Sequence, residues 1–109
     1  MKSGIYLIVN LDNGKSYVGQ SITVASRMRG HLGLLRRGVH ENKHLQSAFN
    51  KYGEEMFFPC VAEFCERAML TEREAYWMEQ LGRHRIYNLA PAGGSNVGMR
   101  MSEDTKKKI

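Results

Sequence analysis

With 109 residues, 42% hydrophobic and 25% charged, the chain can build one small globular domain and at most a short appendage. No apolar run approaches the roughly 18 residues of a membrane span, and Met1-Lys2-Ser3-Gly4 lacks the shape of a secretion signal. The net charge of +5 is unevenly spread: residues 22 to 53 hold six Arg or Lys and three His against the single acid Glu41, a field that favours a polyanionic partner. Its plainer alternative is a solvated helix face. Cys60 and Cys65 read as packing thiols in a reducing compartment, and His31, His40, His44 and His84 form no zinc-like set with them.

The first twenty residues organise the rest. Asn13-Gly14, flanked by β-branched and aromatic residues, predicts a β-hairpin. With Asn13-Gly14 as a two-residue turn, Asn10 faces Tyr17 and Ile8 faces Gly19. Tyr6, Ile8, Asn10, Tyr17 and Gly19 then share one face, while Ile5, Leu7, Val9 and Val18 share the other, which reads as core. Two phenols flank a glycine gap in this register. A three-residue loop would slip it by one and send Tyr17 to the opposite face. Tyrosine is also a common strand residue with no further role.

After the hairpin, Ser21 or Thr23 can cap a helix running to about Arg37, with Gly38 placed to stop it. Val24, Met28, Leu32 and Leu35 form its core stripe. Arg27 and His31 lie along the stripe's edge, half-enclosed where helix meets sheet, and Arg29, Arg36 and Arg37 point to solvent. A second helix follows residues 40 to 42, with Leu45, Ala48, Phe49 and Tyr52 as its inner face and Gly53 as its end. Residues 56 to 65 read as a strand, in which Pro59 must sit at an edge or near the start because it cannot donate a ladder hydrogen bond.

The third helix spans residues 70 to 81. Glu74 stands at the centre of its apolar face, among Leu70, Trp77, Met78 and Leu81, with Glu72 and Glu79 opposite. A carboxylate on a core-facing stripe must be paired, protonated or bound to a cation. Two structural roles compete with a functional one: a capping box from Thr71 to Glu74, or an ion pair such as Glu74 with Arg27. Residues 86 to 89 read as a short last strand, residues 91 to 101 as a Gly-rich linker, and residues 102 to 109 as the start of a helix cut short.

Gly4-Ile5-Tyr6 and Tyr17-Val18-Gly19 resemble the two signature tripeptides of the GIY-YIG nuclease family, with Val18 in place of isoleucine. Arg27 on a first helix and Glu74 on a third extend the resemblance over residues 3 to 90. It is strongest toward catalytic domains of phage and intron homing endonucleases, through Met1-Lys2-Ser3-Gly4-Ile5-Tyr6, Ser47-Ala48-Phe49-Asn50-Lys51, and Glu72-Arg73-Glu74 followed by Tyr76-Trp77. The resemblance implies an α/β fold, a small three-stranded antiparallel sheet flanked by three main helices. Residues 1 to 90 would then be the catalytic domain. It implies metal-dependent cleavage of double-stranded DNA by a monomer inside a bacterial or phage-infected cell. Glu74 would hold one divalent ion, magnesium or its alternative manganese, that stabilises the leaving 3′ oxygen. Arg27 would contact the scissile phosphate. Tyr6, Tyr17, His31, His40 and Asn88 complete the implied catalytic set, with Lys15, Arg29, Arg36, Arg37, Lys43 and Lys51 as candidate DNA contacts. Either tyrosine could be the general base, Tyr6 being favoured for that role and Tyr17 for positioning. A phenol pKa of about 10 would first have to be lowered, or its proton relayed, by His31, His40, Arg27 or the metal.

Residues 102 to 108 resemble the start of a nuclease-associated modular DNA-binding motif, which implies that sequence targeting lies beyond residue 90. Two other readings stand beside this one. A basic DNA-binding module without catalysis would bind DNA regardless of Glu74 and metal. A restriction or repair nuclease could share the scaffold, although this chain has no room for recognition elements inserted in the core.

Overall fold

The hairpin, three helices and one further strand all form, within a computed structural model that describes residues 2–88. In chain order they are β1 (Gly4–Asn10), β2 (Ser16–Ser21), α1 (Val24–Arg37), α2 (Lys43–Tyr52), β3 (Phe57–Phe64) and α3 (Leu70–Leu81), with single 3-10 turns before β3 and on either side of α3. The sheet order is β2-β1-β3, antiparallel throughout. The glycine-tyrosine strand is therefore central. Pro59 sits on the outer strand β3, where its missing N–H costs least.

The hairpin register differs from the expected one by two residues. Tyr6 pairs with Gly19 and Ile8 with Tyr17. The turn is four residues long, because a two-residue Asn-Gly turn needs positive φ at both positions. Only Gly14 has it, at φ 79°. Asn13 instead accepts the Lys15 N–H at 2.9 Å, Asn10 accepts that of Asp12 at 2.9 Å, and Gly14 N–H closes on the Asn10 carbonyl at 2.8 Å. The shift is even, so the two predicted facial sets survive intact.

Which face is core does change. The Tyr6–Ile8–Asn10 face is buried as fully as the other, because α1 and α2 pack on it through Leu35, Leu45, Ala48 and Phe49. The opposite face, with Ile5 and Val18, receives α3 through Leu70, Trp77, Met78 and Leu81. Asn10 tolerates complete burial because its amide donates to the Tyr87 hydroxyl at 3.1 Å and its carbonyl oxygen serves the turn.

Two smaller expectations fail. The capping box does not form: α3 begins at Leu70 with Met69 at its cap, which places Thr71 inside the helix, where its hydroxyl accepts from Gln20. The last strand reduces, among the described residues, to a single parallel bridge between Ile86 and Ser16. Leu89, the linker at 91 to 101 and the motif at 102 to 109 lie outside the described residues.

Candidate active site

Four of the predicted side chains meet on the α1 face of the hairpin. The β1 alternation turns Tyr6 toward α1, and the α1 stripe brings His31 to it, with Tyr6 Oη 2.6 Å from His31 Nε2. His31 Nδ1 lies 2.7 Å from His40 Nε2, and His40 Nδ1 accepts the backbone N–H of Asn42 at 3.0 Å. His40 is placed by the loop between α1 and α2, whose geometry Gln46 enforces: its Oε1 accepts the His40 N–H at 3.0 Å and its amide donates to the Leu35 carbonyl at 3.1 Å. Tyr17 lies tilted against His31 and edge-on to His40, its ring centroid 5.2 Å from that of His31 and 5.9 Å from that of His40. The two phenols converge on His31 rather than on an open gap.

Gly19 explains why the hairpin needs a glycine there. A Cβ at this position would stand 2.7 Å from Tyr6 Cε1 and nearer still to Cζ and Oη. The Tyr6 ring occupies that space, and this sets the direction in which its hydroxyl reaches His31.

The other two predicted groups approach the same place from different sides. Arg27 was expected half-enclosed with His31, but one turn of helix separates their fates. His31 is buried under the sheet, whereas Arg27 is exposed. Its guanidinium nevertheless lies beside the Tyr6 hydroxyl and acts on Tyr17, His31 and His40. Glu74 comes from α3 on the far face of the sheet. Its charge reaches both phenols around β2, an outer strand one residue thick. The carboxylate is 7% exposed, and Gln20 Nε2 donates to its Oε1 at 2.5 Å. Gln20 was not foreseen; its only sequence signal is a polar residue beside Val18 on a core-facing side of β2.

Burial governs the proton affinities. It pushes Tyr6 well above the ordinary phenol range, with Tyr17 and Glu74 adding to the effect and Arg27 opposing it. Tyr17 is pushed up to about 12 by burial and then by the charges of Glu74 and Glu41, against Arg27. The lowering expected of Arg27 is therefore present in sign and outweighed in size. Burial pushes His31 down to about 3, with His40 and Arg27 in the same direction. His40 is also held below its usual value, first by burial. Both imidazoles are neutral at pH 7.

Asn88 is brought near but committed to the backbone. Its amide takes the Val18 N–H at 2.9 Å and gives to the Val18 carbonyl at 2.8 Å, so it closes the free edge of β2 as a neighbouring strand would. The predicted basic residues are all exposed. Arg36 is ion-paired with Glu54, Lys15 lies over Tyr87 and Lys51 over Tyr52, whereas Arg29 donates to the Ser26 hydroxyl at 3.4 Å. Arg85, on the turn after α3, approaches Gly14 beside Lys15 and extends the basic hairpin tip, a neighbour that no local pattern announced.

A divalent cation suits the chemistry of this place. Among the described residues there is no group of three metal-ligating side chains. A single buried carboxylate, already oriented through one oxygen by an amide, fits a hard ion that keeps its waters and shares substrate phosphate, as magnesium does.

Residues 2–88 match the family model described as the GIY-YIG catalytic domain. The chain is 37% identical over 94 residues to intron-associated endonuclease 1 of Enterobacteria phage T4, covering 84% of this chain and 38% of that protein. It is 27% identical over 115 residues to the protein named probable intron-encoded endonuclease 1 of Neurospora crassa, covering 99% of this chain and 36% of the relative. The chain thus spans little more than a third of the length of these two relatives. The solved catalytic domain of homing endonuclease I-TevI superposes with a TM-score of 0.75 at 36% identity, covering 82% of this chain and 99% of that one. A mutant form of the same domain gives a TM-score of 0.76 at 37% identity, covering 84% and 97%.

Proposed function

The chain belongs to the GIY-YIG catalytic-domain family, and from that premise we propose that it is a divalent-metal-dependent endonuclease that hydrolyses a DNA phosphodiester. One observation carries this reading. A buried carboxylate, an exposed guanidinium and two phenols act on one another around the Gly19 edge of β2. Phosphodiester hydrolysis needs that inventory: charge relief for the phosphoryl oxygens, a path for the water's proton, and help for the leaving oxygen.

Arg27 offers a permanently charged fork to the non-bridging oxygens, and its exposure lets it swing onto a phosphate from solvent. Glu74 would hold the ion, with Gln20 fixing the carboxylate's orientation from the neighbouring strand. Once bound, a divalent ion there supplies Lewis-acid charge to the phosphate and the departing 3′ oxygen. Tyr6 and Tyr17 are the hydroxyls available for proton transfer, and the neutral histidines hold them in place. Lys15, Arg29, Arg37 and Lys43 are exposed cations that can meet the duplex backbone, a contact that gives affinity without sequence. Target choice of the homing type would come from chain outside residues 2–88. One site of this kind cuts one strand per encounter, as a monomer. The free thiols Cys60 and Cys65 suit a reducing, intracellular setting, and among the described residues no helix is long and apolar enough to cross a membrane.

Plasmid nicking with wild type and Glu74→Gln, each with magnesium and with EDTA, tests the reading. The substitution keeps size and hydrogen bonding and removes charge. The expected outcome is cutting by wild type with magnesium alone, with DNA binding kept by the variant. Equal cutting by both proteins would remove Glu74 from the chemistry. DNA binding by both, with no cutting even when a DNA-binding domain is tethered to wild type, would favour a binding module.

A further inference from the structure

We propose that the backbone N–H of Asn42 fixes the direction of a hydrogen-bond chain through His40 and His31, so that Tyr6 accepts from His31 and turns its own hydroxyl hydrogen toward the substrate. The inference rests on the nuclease reading for its consequence in catalysis, but not for the chain itself.

The argument is one of donor counting. A backbone amide can only donate, so His40 Nδ1, 3.0 Å from Asn42 N, must present a lone pair. A neutral imidazole carries one N–H, which for His40 is then on Nε2. That nitrogen lies 2.7 Å from His31 Nδ1 and donates to it. His31 Nδ1 is thereby the acceptor, and the His31 hydrogen resides on Nε2, 2.6 Å from Tyr6 Oη. Tyr6 accepts from His31. The Arg27 guanidinium beside the same oxygen is also a donor. The hydroxyl hydrogen of Tyr6 can be directed at neither group, and it is left for a third partner. Neutrality of both rings, on which the count depends, follows from their burial at 3% and 1% exposure.

The chain has rigid supports at its far end. Asn42 caps α2 through its side chain, accepting the Leu45 N–H at 3.0 Å, and its amide donates to the Tyr87 carbonyl at 3.0 Å. Gln46 holds the His40 backbone. His40 and Asn42 are thus positioning residues that act through His31. In catalysis Tyr6 donates a hydrogen bond to a phosphate oxygen alongside Arg27 and keeps its proton. A proton taken from water cannot pass through Tyr6 to His31, whose Nε2 already carries one.

Long-range proton–nitrogen NMR of the imidazole rings in the 109-residue chain at pH 7.5 reads the polarity directly, without DNA or metal. His31→Gln and His40→Gln assign the signals. The expected result is Nε2–H with a pyridine-like Nδ1 for both His31 and His40. Nδ1–H on either ring, or a rapid average of the two tautomers, overturns the proposal. Asn42→Ser keeps both the N–H and the cap and retains the wild-type pattern, whereas Asn42→Pro removes the N–H and loses it. An unchanged pattern in a folded Asn42→Pro would show that Asn42 does not set the direction; if that variant fails to fold, the wild-type spectrum decides alone. None of these outcomes depends on whether Glu74→Gln abolishes cutting.

Discussion

Replacing Gly19 by alanine should disable the site and loosen the fold together, and the size of the effect follows from one contact. The new methyl would stand 2.7 Å from Tyr6 Cε1 and closer to Cζ and Oη. Carbon atoms rest at about 3.5–4.0 Å, so the ring must withdraw by about 1 Å or the two strands must part. Tyr6 has nowhere to go, being 1% exposed and held at 2.6 Å by His31. Overpacking of this kind costs about 1–3 kcal/mol. A hydrogen bond lost at a buried imidazole adds about 1–3 kcal/mol more. The combined loss of about 2–6 kcal/mol compares with the roughly 5–15 kcal/mol that holds a small domain together. Thermal unfolding followed by circular dichroism should show a Tm lower by at least about 8 °C. Plasmid nicking below that temperature should fall steeply, because the Tyr6 hydroxyl leaves its place. A variant melting within about 2 °C of wild type and nicking at the same rate would refute the contact and the role of Gly19 in setting it.

Acid should destabilise the fold early. The folded pKa of His31, about 3, lies below the unfolded value of 6.5, so the unfolded chain binds more protons between these limits and stability is lost as pH falls through that window. Between pH 7 and 4.5 His31 alone removes about 2–3 kcal/mol, with His40 acting in the same direction, and urea midpoints at the two pH values measure it; His31→Gln should flatten the dependence. Asn88→Ala strips two hydrogen bonds from the Val18 backbone and should cost about 1–3 kcal/mol, with faster amide exchange along β2 as the local signature and no change along β3. Gly33→Ala should instead stabilise by about 1 kcal/mol in the same urea titration, since it lies inside α1 and a Cβ there meets nothing within 4 Å.

Much of the fold is local and was therefore legible. Gly38, Gly53 and Gly82 end the helices where the apolar periodicity stops, and α3 runs from Leu70 to Leu81 as its pattern required. Glu74 could be singled out because a charge on an apolar stripe breaks a local rule, and Tyr6, Tyr17, Arg27 and His31 because hairpin and helix periodicity gave each a face. The hairpin register differs by two residues from the one the dipeptide predicts, because a side-chain turn at Asn10 and Asn13 competes with the tight Asn-Gly turn on energies too small to read from a dipeptide.

The sequence by itself determined the elements, their inward faces and the residue types gathered for chemistry, since these depend on neighbours three or four positions away. Only the tertiary structure decided that Gln20 would orient Glu74, that Asn88 would close β2, and that both phenols would be raised in pKa rather than lowered. It alone decided the direction of the chain from Asn42 through His40 and His31 to Tyr6. The physical reason is that desolvation and hydrogen-bond polarity are set by every group packed around an atom, and those groups come from strands and helices far apart in the chain.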